Sequence, residues 1–443
     1  MFDNLMAGIL RIAGLKQSHD SQKIVKNTAW LLSENILRIG LGIFIGSWIA
    51  RYLGPEQFGM LSFAVAFAAL FSAFATFGLD PVIVRNIAVN PLDKNKILGT
   101  TFLLKLFGGF FALCLTIIFI FWLKPDDQLS HWLVGITAAA MVFQAFDVIS
   151  LYYQAQIQSR YSVWARGFAL IVISFVRIFL IMRRAPLITF VWASLIEIVI
   201  GSIVIFIMYQ WQRLSLKLWL FRIDILKNLI KDGWPLFIVA IFTFILTRID
   251  QIMIGQMLGN KEVGIYAATV RVSEMFYFFP LAIKSSIFPY IIKSKQMDGE
   301  SYLWKIQKYY DRVVLSGVSI VIFNIILSRA IINFLYGQQY LGAAAILSIH
   351  IWCALFVCLG SASDIWLMTE NLQRYILYRA IFAGTSNILL NLALIPLYGV
   401  KGAALAAAIS YGMSVFCLVF FKRTRKQVSM QLSSFNFFRY IRK

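Results

Sequence analysis

Charge is scarce in this sequence. Only 14% of its 443 residues are Asp, Glu, Lys or Arg, against 60% hydrophobic. An ordinary soluble domain carries about a quarter charged residues, so that class is excluded. Cysteine (4) and histidine (3) are rarer still. Cys114, Cys353, Cys358 and Cys417 form no CxxC pair and fall in apolar runs, where they read as buried, inert thiols. His19, His131 and His350 are far apart, so no metal site is expected. Also missing are a Gly-rich phosphate loop ending in Lys-Ser/Thr, an HExxH and a GxSxG. The chain therefore reads as a non-enzyme with no cofactor and no ATP site. Its energy would come from an ion gradient or from the substrate gradient.

What is present is apolar length. A mainly apolar run of about 20 residues spans a bilayer as a helix. Twelve such runs are predicted, at 29–50, 57–78, 98–122, 132–153, 163–182, 187–209, 233–258, 264–292, 309–335, 343–367, 376–396 and 401–421. The reading is an all-α, multi-pass integral membrane protein. The net charge of +21 fits it. With the N-terminus in the cytoplasm, Lys and Arg crowd the inside segments, from Lys23 and Lys26 to the tail "KRTRK". The outside loops are poor in them, apart from Arg183–Arg184. That is the positive-inside rule with both termini cytoplasmic. The surplus reports topology and attraction to membrane lipid, and no nucleic-acid partner is needed to explain it. Residues 5–15 suit a short helix lying on the membrane surface. Tyr152, Tyr153, Trp164 and Tyr209 fall near span ends, where an aromatic belt is expected.

The basic, amphipathic stretch 210–231 divides the chain into two six-span lobes, residues 1–222 and 223–443. An internal echo supports two halves. "LGPEQFGMLSFA" begins at Leu53 and "LGNKEVGIYAAT" at Leu258, each Leu-Gly, three residues, apolar-Gly; "LYGVKGAALAAA" from Leu397 is a partial third copy. Each glycine suits a tight outer turn between spans. Eight of the nine prolines lie at or near span ends, and Pro280 sits inside the eighth span, where it should bend the helix.

Ionisable residues inside the runs are functional candidates, since each costs about 2.5–3.5 kcal/mol to insert at a helix centre. They are Glu34, Arg38, Asp80, Lys105, Asp147, Arg177, Glu197, Arg248, Asp250, Arg271, Glu274, Lys284, Arg329 and Asp364. Glu34 and Arg38 share a helix face at i,i+4, and Arg271 and Glu274 do so at i,i+3. One reading makes them self-neutralising pairs. The other places them around a watery cavity whose arginines grip an anionic head group. Lys105, Lys284 and Arg329 are expected to snorkel.

The stretches "RYLGPEQFGMLSFAVAFAALFSAFATFGLDPVIVR" (51–85), "LYGQQYLGAAAILSI" (335–349) and "LIPLYGVKGAALAAAISYG" (394–412) resemble the Wzx-type polysaccharide flippases. That superfamily also holds lipid II flippases and MATE multidrug exporters. The resemblance implies twelve helices in two six-helix lobes, a MATE-like V, and a cavity lined by spans one, two, seven and eight. It implies alternating access that moves an undecaprenyl-pyrophosphate-linked oligosaccharide, such as an O-antigen unit, from inner to outer leaflet of the bacterial inner membrane, beside the polysaccharide polymerase machinery. By position it implies a substrate site at Glu34, Arg38, Asp80, Arg248, Arg271, Glu274 and Lys284. It also implies an ion site for a coupling cation, Na+ or H+, at Asp250, Asn387 and Asn391, although two amides stand where an amide and a carboxylate would bind a cation more strongly. The alternative is a cation-coupled multidrug exporter of the same fold. The slight cationic excess in spans one, seven and eight favours an anionic substrate over it.

Overall fold

The computed structural model describes residues 19–278, 280, 291, 294–295 and 299–436. The N-terminal stretch 5–15, expected as a surface helix, lies outside them. Among the described residues there are helices and turns and no strand. Lipid offers no partner for backbone N–H and C=O groups, so a helix, which satisfies its own, is the economical way across.

Among the described residues, ten stretches are long and apolar enough to cross a membrane. One of them, Lys26–Val89, holds the first two expected runs, so eleven of the twelve are matched. The remaining run, 264–292, starts in a helix that ends at Met275, ahead of Pro280, and continues into residues outside the described set.

We number the helices in chain order. The first is α1 (His19–Thr76), interrupted at Gly54, with α2 (Asp80–Val89) and α3 (Lys94–Leu123) after it. Then come α4 (Gln128–Phe143), α5 (Asp147–Ala155), α6 (Arg160–Met182), α7 (Leu187–Trp211), α8 (Ile223–Met257) and α9 (Asn260–Met275). The later helices are α10 (Gly299–Tyr336), α11 (Gly342–His350), α12 (Trp352–Thr369), α13 (Arg374–Tyr398), α14 (Val400–Phe416) and α15 (Arg425–Ser433).

Two compact units form. The first is Lys23–Gly255 with Gly259–Gly264, and the second holds Gln256–Leu258 and the chain from Ile265 onward. The division thus falls at the end of α8, whereas the sequence suggests a lobe boundary at 222. The reason is packing. Gly78 meets the backbone of α8 at Leu236, Phe74 packs edge-on against Phe237 at 5.3 Å, and Arg85 reaches Asp232 at 2.7 Å.

The repeated turns meet inside the first unit. Gly54 and Gly259 hold φ of 73° and 96°, the left-handed region that glycine enters without steric cost. Five residues on, Gly59 lies against the carbonyl of Asn260, and Gly264 against the carbonyl of Pro55. The contact is reciprocal, since Asn260 follows Gly259 as Pro55 follows Gly54. A Cβ at either site would overlap backbone.

A core forms where α2, α3, α5 and α7 converge, around Ile83, Ile87, Leu98, Tyr153 and Tyr209. Tyr153 and Tyr209 are fully buried there, Tyr209 donating no surface to a belt but receiving a hydrogen bond from Trp219 Nε1 at 3.1 Å. The expected aromatic belt therefore fails at these two tyrosines and at Tyr152, which is 8% exposed; Trp219, in the linker 212–222, packs edge-on against Tyr209. Trp164 remains exposed. Of the cysteines, Cys353, Cys358 and Cys417 are buried and Cys114 is exposed, so the buried reading fails for Cys114.

In the second unit α13 packs along α14, and α10 against α12. The tail helix α15 docks through polar side chains. Gln427 bonds Ser363, Gln431 donates to the Leu359 carbonyl at 3.3 Å, and Gln307 reaches Ser434 Oγ at 2.8 Å. Arg379 and Asp364 pair at 2.6 Å nearby in the unit.

Two outcomes test these contacts. Gly264→Val should lower Tm by the equivalent of about 1–3 kcal/mol of overpacking, while Gly42→Ala, with open space around it, should not; equal behaviour of the two would contradict the close crossing. Asp127 caps α4 outside the spans, accepting from Ser130 N at 3.0 Å. Burial pushes its carboxyl up, but the bonds from Ser130 and the charge of Lys124 outweigh burial and hold it below its usual value. A lowered carboxyl stabilises above the ordinary pKa of about 4 and loses that contribution as pH falls through the lowered value. Asp127→Ala should cost about 1 kcal/mol near neutrality, with the Tm gap closing in acid; a gap independent of pH would speak against the cap.

Candidate functional site

The first unit encloses a cavity of about 460 Å³. Its walls come from the start of α1, the junction of α4 and α5, the start of α6 and the latter part of α7. These are spans one, four, five and six.

The cavity carries an ionic network. Glu34 is 6% exposed and lies between two guanidiniums. Arg38 Nη2 donates to its Oε1 at 3.0 Å, and Arg166 Nη1 lies 3.6 Å from the same oxygen. Arg166 Nη2 turns to Asp147 at 3.4 Å. Deeper along α6 and α7, Arg177 holds Glu197 at 2.9 Å and Ser194 Oγ at 3.0 Å. The i,i+4 spacing on α1 sets the first pair. The others need the fold, which brings residue 166 beside residues 34 and 147.

Burial explains the pairing. A buried carboxylate facing no cation would be strongly destabilising; Glu34 lies between two arginines, and Asp147 supplies the second negative charge that balances them. Arg38 is nonetheless half exposed, with 49% of its side chain accessible. Its planar fork can turn to a ligand while one nitrogen keeps Glu34.

Of the expected substrate residues, Glu34 and Arg38 are brought together at this cavity. Asp80 is elsewhere, bound to Lys105 Nζ at 2.6 Å. Lys105 is 1% exposed, so it pairs inside the protein where snorkelling is expected, because Asp80 at the start of α2 lies within its reach. Arg248, Arg271 and Glu274 do not line the cavity, and Lys284 lies outside the described residues. Asp250 is buried in α8. Asn387 and Asn391 are buried on α13, where Asn391 Nδ2 donates to the Asn387 carbonyl at 2.9 Å and to its Oδ1 at 3.2 Å. Asp250 belongs to the first unit and the two amides to the second. Among the described residues no cluster of His, Cys, Asp and Glu suits a metal ion.

Arg166 is missing from the sequence-derived candidates, although an arginine inside the fifth apolar run carries the same signal as Arg177. Asp147 and Glu197 are recognisable in sequence as intramembrane charges, but their shared cavity is visible only in the fold.

The family described as polysaccharide biosynthesis protein matches residues 24–295. The chain belongs to that family. The resemblance to Wzx-type polysaccharide flippases read from the sequence is thereby borne out. A curated relative, the putative O-antigen transporter of Shigella flexneri, is 22% identical over 72% of this chain and 78% of its own length. Among solved structures, lipid II flippase MurJ in an inward closed conformation aligns with a TM-score of 0.69 at 17% identity, covering 93% of this chain and 91% of that one. A multidrug resistance MATE family transporter in an inward-facing conformation gives 0.67 at 14%, covering 92% and 96%. At these identities the two structures establish a shared fold, the MATE-like helical membrane architecture.

The network makes a thermodynamic prediction. Glu34→Ala and Arg166→Ala should each cost about 1–3 kcal/mol, since each strands a charged partner. The double variant should lose clearly less than the sum, as residues in one network couple by about 0.5–3 kcal/mol. Thermal unfolding of purified protein measures this, and additive losses would show that the pair does not interact.

Proposed function

We propose that the protein is a flippase for a lipid-linked oligosaccharide, and that its substrate is an undecaprenyl-pyrophosphate-linked surface polysaccharide unit, such as an O-antigen repeat. It works in the bacterial inner membrane with both termini cytoplasmic, moving substrate from inner to outer leaflet by alternating access. With that orientation the cavity of Glu34, Arg38 and Arg166 lies in the cytoplasmic half, where such a substrate is made.

The observation that carries this reading is a single carboxylate shared by two arginines in a cavity wall. Guanidinium forks match phosphate oxygens. Glu34 holds both forks in place until an anion arrives, and the carboxylate–arginine distances of 3.0 and 3.6 Å leave donors for it. Arg248, Arg271, Glu274, Lys284 and Asp80 are the remaining substrate candidates. Coupling to Na+ or H+ through Asp250, Asn387 and Asn391 completes the proposal, with polymerase machinery taking the delivered unit. Family membership and the similarity to a putative O-antigen transporter support it.

Cells depleted of the protein and complemented with variants test it. A charge-assisted hydrogen bond is worth about 1.5–3 kcal/mol, so Arg38→Glu should cut surface polysaccharide about tenfold to a hundredfold. Lipid-linked oligosaccharide should then accumulate on the cytoplasmic leaflet while membrane insertion stays normal. Normal export from a well-inserted Arg38→Glu protein would overturn the site. Unchanged polysaccharide with new sensitivity to cationic dyes would overturn the substrate in favour of a drug exporter.

A further inference from the structure

One wall of the cavity is not explained by an anion. Gln144, Asp147 and Ser150 follow at intervals of three through the 3-10 turn Gln144–Phe146 and the first turn of α5, so they share a face. All three line the cavity, with Phe143 beside them. Ser150 is 6% exposed and its hydroxyl has no hydrogen-bond partner. The Gln144 Oε1 is likewise buried without a donor. Asp147 is half accessible, and Arg166 meets only one of its oxygens, at 3.4 Å.

Buried polar atoms are almost always satisfied; here half-accessible Asp147 brings its carboxylate to the cavity, and the Ser150 hydroxyl and Gln144 Oε1 stand buried beside it with no partner inside the protein, so this face has acceptors to spare for something else. The chemistry of the face narrows what that is. A carboxylate and an amide oxygen only accept, so they repel phosphate and select groups that donate. A serine hydroxyl can do both. A neighbouring phenyl ring offers an apolar surface. A polyhydroxylated ring has hydroxyls for the first three and a C–H face for the fourth. The volume of about 460 Å³ lies within the roughly 300–1,000 Å³ of small-molecule sites.

We infer that Gln144, Asp147 and Ser150, with Phe143, form a sugar subsite that takes a ring of the oligosaccharide while Arg38 and Arg166 hold its phosphate. This assignment rests on the flippase reading above. It divides the cavity into a donor wall for the anion and an acceptor wall for hydroxyls. Arg166 joins the two walls through Glu34 and Asp147.

Two probes separate the walls. One is the lipid-free oligosaccharide released by mild acid from the lipid-linked pool of the source cells. The other is inorganic pyrophosphate. Calorimetry on purified protein should show both binding. Gln144→Met and Ser150→Ala should each weaken the oligosaccharide about threefold to tenfold and leave pyrophosphate unchanged. Arg38→Gln should weaken pyrophosphate. Ser150→Thr, which keeps the hydroxyl, should retain oligosaccharide binding, and Tm checks that each variant is folded. Unchanged oligosaccharide affinity in Gln144→Met and Ser150→Ala overturns the subsite, as does a wild type that binds pyrophosphate alone. A wild type that binds the oligosaccharide in a Ser150-dependent way but ignores pyrophosphate keeps the subsite and overturns the anion-gripping part of the proposed function.

Discussion

A carboxylate in a medium of low dielectric is costly unless a cation faces it, and Glu34 answers with two. This constraint organises the first unit. Arg38 comes from the same helix, a turn away. Arg166 comes from α6, and its second nitrogen carries the network on to Asp147 beside α4. Glu34, at 6% exposure, thereby ties α1 to α6, and Arg166 extends the tie to the junction of α4 and α5. Because Arg38 and Asp147 are both about half accessible, the same network that permits burial leaves charge facing the cavity. Stability and recognition draw on the same side chains.

The second constraint is close backbone approach. Gly59 and Gly264 let the turn of one repeat lie against the other, Asn260 to Gly59 and Pro55 to Gly264. Small residues allow this contact in membranes, where lipid is as apolar as leucine and packing takes the place of a hydrophobic drive. The reciprocity explains why the same Leu-Gly-x3-apolar-Gly pattern occurs at 53 and at 258. Each copy supplies a left-handed glycine for its own turn and a second glycine for the other copy's carbonyl.

Much of the fold was legible because it depends on local properties. Run length and apolarity announce helices, and eleven expected runs coincide with crossing helices. The Glu34–Arg38 pair was legible for the same reason, as i,i+4 spacing is a local geometry. What the sequence hid is set by tertiary packing. Arg166 gains its meaning only beside residues 34 and 147. Lys105 reads as a snorkelling chain until Asp80 is seen 2.6 Å away. Tyr152, Tyr153 and Tyr209 read as belt residues until the fold buries them. The lobe boundary at 222 follows composition, while the compact unit follows the grip of Gly78 and Phe74 on α8.

Movement of a lipid-linked oligosaccharide between leaflets by this chain is open to direct measurement. Purified protein reconstituted into vesicles, with the radiolabelled lipid-linked oligosaccharide of the source cells in both leaflets, tests it directly. A glycan-cleaving enzyme added outside reads how much is accessible. Protein-containing vesicles should expose nearly all of the substrate over time, whereas empty vesicles stop at the outer-leaflet half. Cleavage that stops at half in both, with protein shown to be folded, would contradict it.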